Sequence, residues 1–187
     1  MKKIFFAVVF GLFAMQLNIC AAMIAPYQMY LGGITYGSTI DELKKIHGEP
    51  KTRDGVDGYN YCTYGDLVIV RYKESSGKIY EIDVTDDSPN WRGDQNIGVG
   101  MYYDEWLKVH AEPDVVKKGD VQTVYLYFHY KSDLVKHETY RDAGLFIAFD
   151  NKSGKITQMK ICGDNDFSPF EASFEGVMED MLFPISR

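Results

Sequence analysis

The first clear hydrophobic pattern along the chain has the period of a helix. Ile40, Leu43 and Ile46 fall on one side of a helical turn, which predicts a short amphipathic helix. Thr39 stands directly before this run, and Glu42 lies in its first turn. The two have the spacing of a capping box, in which they satisfy backbone N–H groups at a helix start. A glycine and a proline follow the run closely, so we expect the helix to end there.

After this helix the pattern changes to the period of two that is typical of strands. The predicted strands are residues 59–64, 67–73, 78–85, 122–130, 145–150 and 155–162. Gly65 and Asp66 predict a two-residue hairpin turn that pairs Tyr64 with Leu67. Each group of three strands predicts an antiparallel meander, and the fold class that follows is α+β.

The helical segment occurs twice. Residues 34–50 and 97–113 are identical at eight of seventeen positions without a gap, and the sequence of 76–79 returns at 153–156. We therefore predict a tandem duplication, with one helix-plus-meander unit over residues 23–90 and another over 91–163. The second helix should start less firmly, because Tyr102 stands where the cap residue should be.

Strand alternation predicts which side chains face the helices. The predicted core face consists of Tyr61, Val68, Val70, Tyr72, Tyr80, Ile82, Val84, Val124, Leu126, Phe128, Leu145, Ile147, Phe149, Met159 and Ile161. The predicted outer face consists of Asn60, Cys62, Tyr64, Ile69, Arg71, Glu81, Asp83, Thr85, Tyr125, Tyr127, His129, Phe146, Gln158, Lys160 and Cys162. The charged residues 131–144 interrupt the second meander, and we expect them to form a protruding loop.

The C-terminal segment, residues 164–187, belongs to neither unit. Ser168 and Glu171 have the spacing of a capping box, and Pro169 stands at the first helical position. An apolar stripe follows at helical spacing and consists of Phe170, Phe174, Val177, Met178, Met181 and Leu182. We expect this amphipathic helix to pack on the protein's own core, and docking on a partner is the alternative.

The N-terminus has the layout of a secretory signal peptide. Lys2 and Lys3 precede an apolar stretch over residues 4–15, and small residues occupy 20–22. Cleavage near Ala22 would remove residues 1–22 and leave an extracytoplasmic, periplasmic or secreted protein. Two alternatives stay open. One is retention of the segment as a membrane anchor, and the other is lipidation at Cys20. If the segment is cleaved, we expect attachment to a membrane only through this lipid.

The chain is acidic, with a formal net charge of −7. Removal of residues 1–22 would take away two lysines and no acid, so the mature charge would be −9. No cluster of lysine and arginine provides the positive patch that phosphate backbones require. We therefore expect no nucleic-acid partner.

Several short motifs resemble a known structural unit. Gly37-Ser38-Thr39, Leu43, Gly48-Glu49-Pro50 and Gly77-Lys78-Ile79 resemble the unit of the outer-membrane assembly lipoprotein BamE (SmpA/OmlA type), and two such units in tandem look like the secreted β-lactamase inhibitor protein. The resemblance implies non-enzymatic protein binding through a sheet formed by both units. The stretch Leu31–Ile34 is also similar to the L-G-G-I start of uncharacterised secreted proteins of diderm Firmicutes.

The sequence contains no catalytic motif that we can assign. Protease, hydrolase, P-loop and dinucleotide signatures are missing, and we expect no cofactor and no metal. His47 and His110 occupy the last turns of the two helices, where we interpret them as packing residues rather than metal ligands. Glu81 and Asp83 read as part of a solvated acidic rim. The tripeptide Arg92–Asp94, which some adhesion receptors recognise, reads as a chance occurrence in a polar linker.

Cys62 and Cys162 remain after processing and can pair in an oxidising compartment. Their predicted positions on the same outer face permit a bridge between the two units. The alternative is that both stay reduced, because a bridge needs the two Cα atoms within about 7 Å.

The predicted outer face carries the functional hypothesis, because tyrosine, phenylalanine and arginine are enriched in protein interfaces. The predicted partner-binding residues are Tyr64, Ile69, Arg71, Tyr125, Tyr127, His129 and Phe146. The first hypothesis is a non-enzymatic module that binds a protein or peptide, and the second is an envelope component that self-associates, for example as a homodimer. The third is a ligand-binding or hydrolytic protein that uses His129, Asp83 and Glu81.

Overall fold

The computed structural model describes residues 28–56, 58–110, 112–133, 138–163 and 174–182, and at 52–54, 56, 131–133 and 138–140 it describes the backbone. The predicted signal peptide, the Cys20 box and the Ser168 cap lie outside these residues. The helices are α1 (Ile40–His47), α2 (Tyr103–Leu107) and α3 (Phe174–Leu182). The strands are β1 (Thr52–Val56), β2 (Tyr59–Tyr64), β3 (Val68–Lys73), β4 (Ile79–Val84), β5 (Val115–Lys118), β6 (Gln122–Asp133), β7 (Glu138–Asp150) and β8 (Ile156–Gly163).

The eight strands form one antiparallel sheet in the order β1-β2-β3-β4-β8-β7-β6-β5. Two meanders, β2-β3-β4 and β6-β7-β8, therefore meet along β4 and β8. We refer to β1 to β4 as the first half of the sheet and to β5 to β8 as the second half. The predicted α+β class is confirmed, and the edge strands β1 and β5 were not predicted.

The same backbone hydrogen bonds surround α1 and α2. Gly37 N donates to Ile79 O over 2.8 Å, and Gly100 N donates to Ile156 O over 2.8 Å. Both glycines have positive φ, at 82° and 85°, a conformation that favours glycine. The glycine turn before each helix is thus bonded to the start of the last strand of the same half.

The two faces of the sheet are covered differently. Val70, Ile82, Ile161 and Leu145 are cross-strand neighbours on the face that we call the helix face. Leu43 of α1 and Trp106 of α2 belong to the same buried cluster as these four residues. The opposite side, which we call the far face, is covered in the second half by α3.

Helix α3 packs its apolar stripe on the protein's own sheet, as predicted. Phe174, Val177, Met178, Met181 and Leu182 are buried in one cluster with far-face residues of β6, β7 and β8. The sheet residues of this cluster are Val124, Leu126, Phe128, Phe146, Ala148 and Cys162.

The first strand of each meander, β2 or β6, has the opposite orientation to the one predicted. Tyr64 pairs with Val68 instead of Leu67, because the turn contains three residues rather than two. Cys62 and Tyr64 consequently lie on the helix face, and Tyr61 lies on the far face.

In the second half, Tyr125 and Tyr127 lie on the helix face. Val124, Leu126 and Phe128, which were predicted for the core beneath the helices, lie on the far face beneath α3. Both sides of β6 are apolar, so alternation alone could not distinguish them.

The predicted loop at 131–144 is also wrong over most of its length. Strands β6 and β7 continue into this segment and pair as far as Asp133 with Glu138. The segment is therefore the outer part of a long hairpin, whose tip at 134–137 lies outside the described residues.

Candidate functional site

The residues predicted to form one aromatic binding surface are divided between the two faces. Tyr64, Tyr125 and Tyr127 lie on the helix face, and His129 follows them on the same side of β6. Ile69, Arg71 and Phe146 lie on the far face. A surface shared by all seven residues, as predicted, does not exist.

The helix-face tyrosines are packing residues beneath the helices. Tyr127 is 1% exposed, and its hydroxyl lies 2.7 Å from the hydroxyl of Tyr103 on α2. Burial is the main cause that raises the pKa of Tyr127 to about 12. The Tyr125 ring is half-buried and lies 4.5 Å from the Tyr103 ring and 5.1 Å from that of Phe149. These rings form the floor on which α2 packs.

Two further predicted binding residues are also used internally. Tyr64 donates a hydrogen bond of 2.8 Å from its hydroxyl to Gly48 O at the end of α1. Phe146 is 0% exposed, and its ring lies 5.7 Å from that of Phe174 on α3. Helices α1 and α3 thus cover the aromatic side chains that we expected a partner to cover.

The two repeated histidines hold the helices against the segment that connects the halves. The His47 ring stacks on Trp91 with 3.9 Å between centroids, and its Nε2 lies 2.7 Å from Gly32 O. The His110 ring stacks on Trp106 at 3.6 Å, and its Nε2 lies 2.9 Å from Asp94 Oδ2. Their predicted packing role is confirmed by these contacts, but His110 lies beyond the end of α2 at Leu107 rather than in its last turn.

The adhesion-like tripeptide is folded into the same connecting segment. Asp94 Oδ2 accepts from Gln28 Nε2 over 3.2 Å in addition to its contact with His110. Arg92 Nη1 donates to Asn96 O over 3.2 Å and also contacts the sulfur of Met101. Both charged side chains of the tripeptide are therefore engaged in internal contacts.

The trio suggested for hydrolysis is not assembled. His129 Nδ1 contacts Asp142 Oδ1 on the helix-face side of the sheet. Glu81 and Asp83 point to the far face, where they lie beside residues of β3 and β8. The sheet separates His129 from the two acids.

Glu81 and Asp83 instead belong to a buried group of charges, which we call the seam network. Lys160 Nζ of β8 lies 3.3 Å from Glu81 Oε1 and 3.9 Å from Asp83 Oδ2. Arg71 forms an ion pair with Glu81, and Gln158 Nε2 donates to Asp83 Oδ1 over 2.7 Å. The prediction of a solvated acidic rim is wrong, because Glu81, Asp83 and Lys160 are all buried.

Sequence reasoning missed the seam network because its parts are far apart in the chain. Lys160 lies between two apolar residues of β8, and this alternation is typical of a lysine on a solvated face, so the local sequence carried no signal of its burial. Its partners become visible only when β4 is known to pair with β8, which places Asp83 directly opposite Lys160.

The far face of the first half surrounds the exposed end of the seam network. Tyr61 is the cross-strand neighbour of Arg71, and Thr63 is the neighbour of Ile69. All four side chains are half-buried, and Arg71 is held in place by Glu81. Ile69 and Arg71, two of the seven predicted binding residues, thus share a partly exposed surface, and Tyr61 and Thr63 join them there.

The possible bridge between Cys62 and Cys162 does not form, and the alternative in which both stay reduced is the one found. Cys62 lies on the helix face of β2, and Cys162 lies on the far face of β8. Strands β3 and β4 separate them, so three strand spacings of about 4.8 Å place them roughly 14 Å apart. Both are buried, and each packs in a different core cluster.

No family model, curated protein or solved structure matches this chain. Within the part of the chain that the structure describes, no helix has the length and apolar character needed to cross a membrane. The same residues contain no group of three or more histidine, cysteine, aspartate or glutamate side chains placed to hold a metal ion.

Proposed function

We propose that the chain is an extracytoplasmic, non-enzymatic binding module that docks a protein or peptide on the far face of the first half of its sheet. The N-terminal layout of charged, apolar and small residues supports the location. The proposed architecture is two tandem units of the BamE type, arranged as in the β-lactamase inhibitor protein. The matching hydrogen bonds of Gly37 and Gly100 support it.

The observation that carries the proposed binding surface is the row Tyr61–Arg71–Glu81 across β2, β3 and β4. Tyrosine and arginine are the residue types that contribute most to protein interfaces. The ion pair with buried Glu81 holds the Arg71 guanidinium in one place, so less side-chain entropy is lost when a partner binds. Ile69 adds an apolar contact on the next row.

The charged groups that this face brings together are paired with each other. Glu81 is shared between Arg71 and Lys160, and Asp83 is bonded to Gln158. A general base has to be within hydrogen-bond reach of a substrate proton, and these carboxylates instead accept from neighbouring side chains. The pairing supports a binding role over a hydrolytic one.

The test is a capture experiment with the mature chain, residues 23–187, on envelope extract. We expect a partner that the native chain retains and that is lost when Tyr61→Ser and Ile69→Ser are combined. The matched control combines Tyr102→Ser with Val109→Ser, since these two exposed side chains flank α2 and lie away from the surface. Equal capture by both variants would show that the binding surface is elsewhere.

Self-association is a second candidate, and the position of β1 favours it. This strand is the outermost of the sheet beside Tyr61 and the rest of the proposed surface. Edge strands readily pair with another chain, and two copies joined along β1 would unite their far faces. Light scattering on the purified mature chain separates the candidates, because a stable dimer in isolation favours self-association.

A further inference from the structure

A second surface lies at the opposite edge of the sheet. A cleft of about 470 Å³ opens on the far face between β5 and α3. Val115 of β5, Leu126 and Phe128 of β6, and Phe174 and Met178 of α3 give it apolar walls. Lys117, Arg141 and Glu175 provide its polar lining.

Strand β5 is the last strand of the sheet on this side. Gly119 N bonds to Gln122 O over 2.9 Å, and Lys117 is the cross-strand neighbour of Val124. In an antiparallel ladder, residues that bond inward alternate with residues that turn their backbone groups outward. Val116 and Lys118 therefore present N–H and C=O groups to the outer side of the sheet.

The charges around this edge are unequal. Lys117 is compensated by α3, since its Nζ lies 2.7 Å from Glu179 Oε1 and 3.7 Å from Glu175 Oε1. The Arg141 guanidinium lies 4.5 Å from the centre of the Phe128 ring. Among the described residues, neither Arg141 nor Lys118 has an acidic partner. The edge thus has one such cation on each side of the sheet, Lys118 on the helix face and Arg141 on the far face.

Lysine on an edge strand often serves only to prevent unwanted pairing. A strand protected in this way does not need an apolar cleft beside it. Here Val115 is 39% exposed, and the cleft beside it is bounded by the rings of Phe128 and Phe174. The combination of an open ladder with a side-chain cleft is the arrangement used for strand addition.

We propose that β5 and this cleft bind an extended acidic peptide segment of another protein, which adds to the sheet as a ninth strand. Side chains of the added strand would alternate between the faces. Those on the far face would enter the cleft and should be apolar. Those on the other face would lie beside Lys118 and should be acidic, and Arg141 would attract a carboxylate at the mouth of the cleft. This site shares no residue with the surface of Tyr61, Ile69 and Arg71, so it stands independently of the function proposed above.

The probe is a capped peptide of about six residues that alternates leucine with glutamate, which is long enough to span the four residues of β5. Its matched control alternates leucine with lysine. Binding to the mature chain is measured by fluorescence polarisation. We expect the acidic peptide to bind about tenfold more tightly than the basic one, because its carboxylates can pair with Lys118 and Arg141.

Two variants test the two parts of the proposal. Lys118→Glu combined with Arg141→Glu should reverse the preference between the peptides while the fold is retained, as measured by circular dichroism. Val116→Pro removes an outward N–H without touching the inward ladder and should weaken the acidic peptide about tenfold. Leu67→Asp, an exposed apolar position in the first half, should leave both affinities unchanged.

Equal binding of the two peptides, or an unchanged preference after the double charge reversal, would overturn the proposal. A second outcome would also overturn it: the chain binds neither peptide but associates with itself, and Val116→Pro abolishes this association. That result would assign β5 to a contact between copies.

Discussion

At the residue scale, the repeated helices are held by a few specific side-chain pairs rather than by general apolar contact. Tyr127 and Tyr103 share a buried hydroxyl contact, and His110 joins Trp106 to Asp94. Buried polar groups of this kind are costly when they lose their partner. Single substitutions at these positions should therefore have measurable effects on stability.

The tyrosine pair predicts a loss of stability at high pH. Burial raises the pKa of Tyr127 to about 12 and also raises the pKa of Tyr103, whereas both phenols in the unfolded chain have a pKa near 10. The folded state then keeps protons that the unfolded state has lost, so the stabilising contribution is complete below pH 10 and falls as the pH rises toward 12. The Tyr127 contribution is of the order of 2 kcal/mol.

Urea unfolding followed by circular dichroism at pH 8 and pH 11 measures this loss. Tyr103→Phe combined with Tyr127→Phe should make the loss smaller. Tyr102→Phe, at an exposed tyrosine, is the control and should leave it unchanged. An equally steep loss in the double variant would mean that other groups cause it.

The stacked histidine predicts a structural rather than a metal-binding effect. His110→Ala should lower the free energy of unfolding by about 2 kcal/mol, because it leaves a void beside Trp106 and removes one of the two described partners of Asp94. The effects of Asp94→Ala and His110→Ala on the free energy of unfolding should be non-additive by at least about 0.5 kcal/mol. Thermal unfolding of all variants with and without a chelator is the measurement. A shift caused by the chelator in the native chain would contradict the packing role.

At the element scale, the two related helices differ in how they begin. Thr39 Oγ1 accepts from Glu42 N over 3.2 Å, and Glu42 Oε2 accepts from Thr39 N over 2.7 Å. Tyr102 occupies the equivalent position before α2 and makes no side-chain cap. Helix α1 has eight residues and α2 has five, which fits the sequence prediction of a less firm start.

Exchange of the cap residues should shift stability in opposite directions. Thr39→Ala should cost about 1 kcal/mol, because it leaves backbone N–H groups of α1 without a partner. Tyr102→Thr should add about 0.5 kcal/mol, because Glu105 already stands at the third helical position for a capping box. Chemical denaturation of the two variants is the measurement, and destabilisation by Tyr102→Thr would show that its contact with Lys155 matters more than the cap.

At the scale of the whole molecule, the two halves are joined in one sheet along β4 and β8, and the seam network lies at this junction. Glu81, Asp83 and Lys160 are buried there with opposite charges in contact. Removal of one member of such a group leaves a buried charge without compensation, which is more costly than loss of a surface ion pair. The network should therefore contribute to the correct pairing of the halves.

Lys160→Met should lower the free energy of unfolding by about 3 kcal/mol. Combining it with Glu81→Gln should recover much of this loss, because the charge balance between Arg71 and Asp83 is restored. The control is Lys117→Met. Lys117 forms a partly exposed ion pair with Glu179, and loss of this pair should lower the free energy of unfolding by less than about 1 kcal/mol. Urea unfolding followed by tryptophan fluorescence measures all three. Equal costs for Lys160→Met and Lys117→Met would show that burial of the network has no energetic consequence.

Local sequence was sufficient where local contacts decide the structure. Helix α1 begins after Thr39 and ends at His47, as its capping box and the following glycine predicted. The orientations predicted for β3 and β4 are also found, since Val68, Val70, Ile82 and Val84 are buried in the helix-face core while Ile69 and Arg71 lie on the far face. In these strands one face is apolar and the other polar, so alternation carries enough information.

The candidate site could be predicted only in part. Ile69 and Arg71 were placed on the correct face, but Tyr125 and Tyr127 were not, because β6 is apolar on both sides and α3 covers the side that was predicted to face the other helices. A third residue in the turn after Tyr64 was enough to reverse β2. Such errors have a simple cause, since a shift of one residue in register moves every side chain of a strand to the other face.

The sequence by itself determined the two capped or glycine-bounded helix starts, the meanders and the amphipathic C-terminal stripe, because each depends on residues a few positions apart. Only the tertiary structure decided that β4 pairs with β8, that α3 covers β6 and β7, and that Lys160 meets Glu81 and Asp83. These contacts join residues about eighty positions apart or link separate elements. Their free energy comes from burial and charge pairing that exist only after the halves have come together.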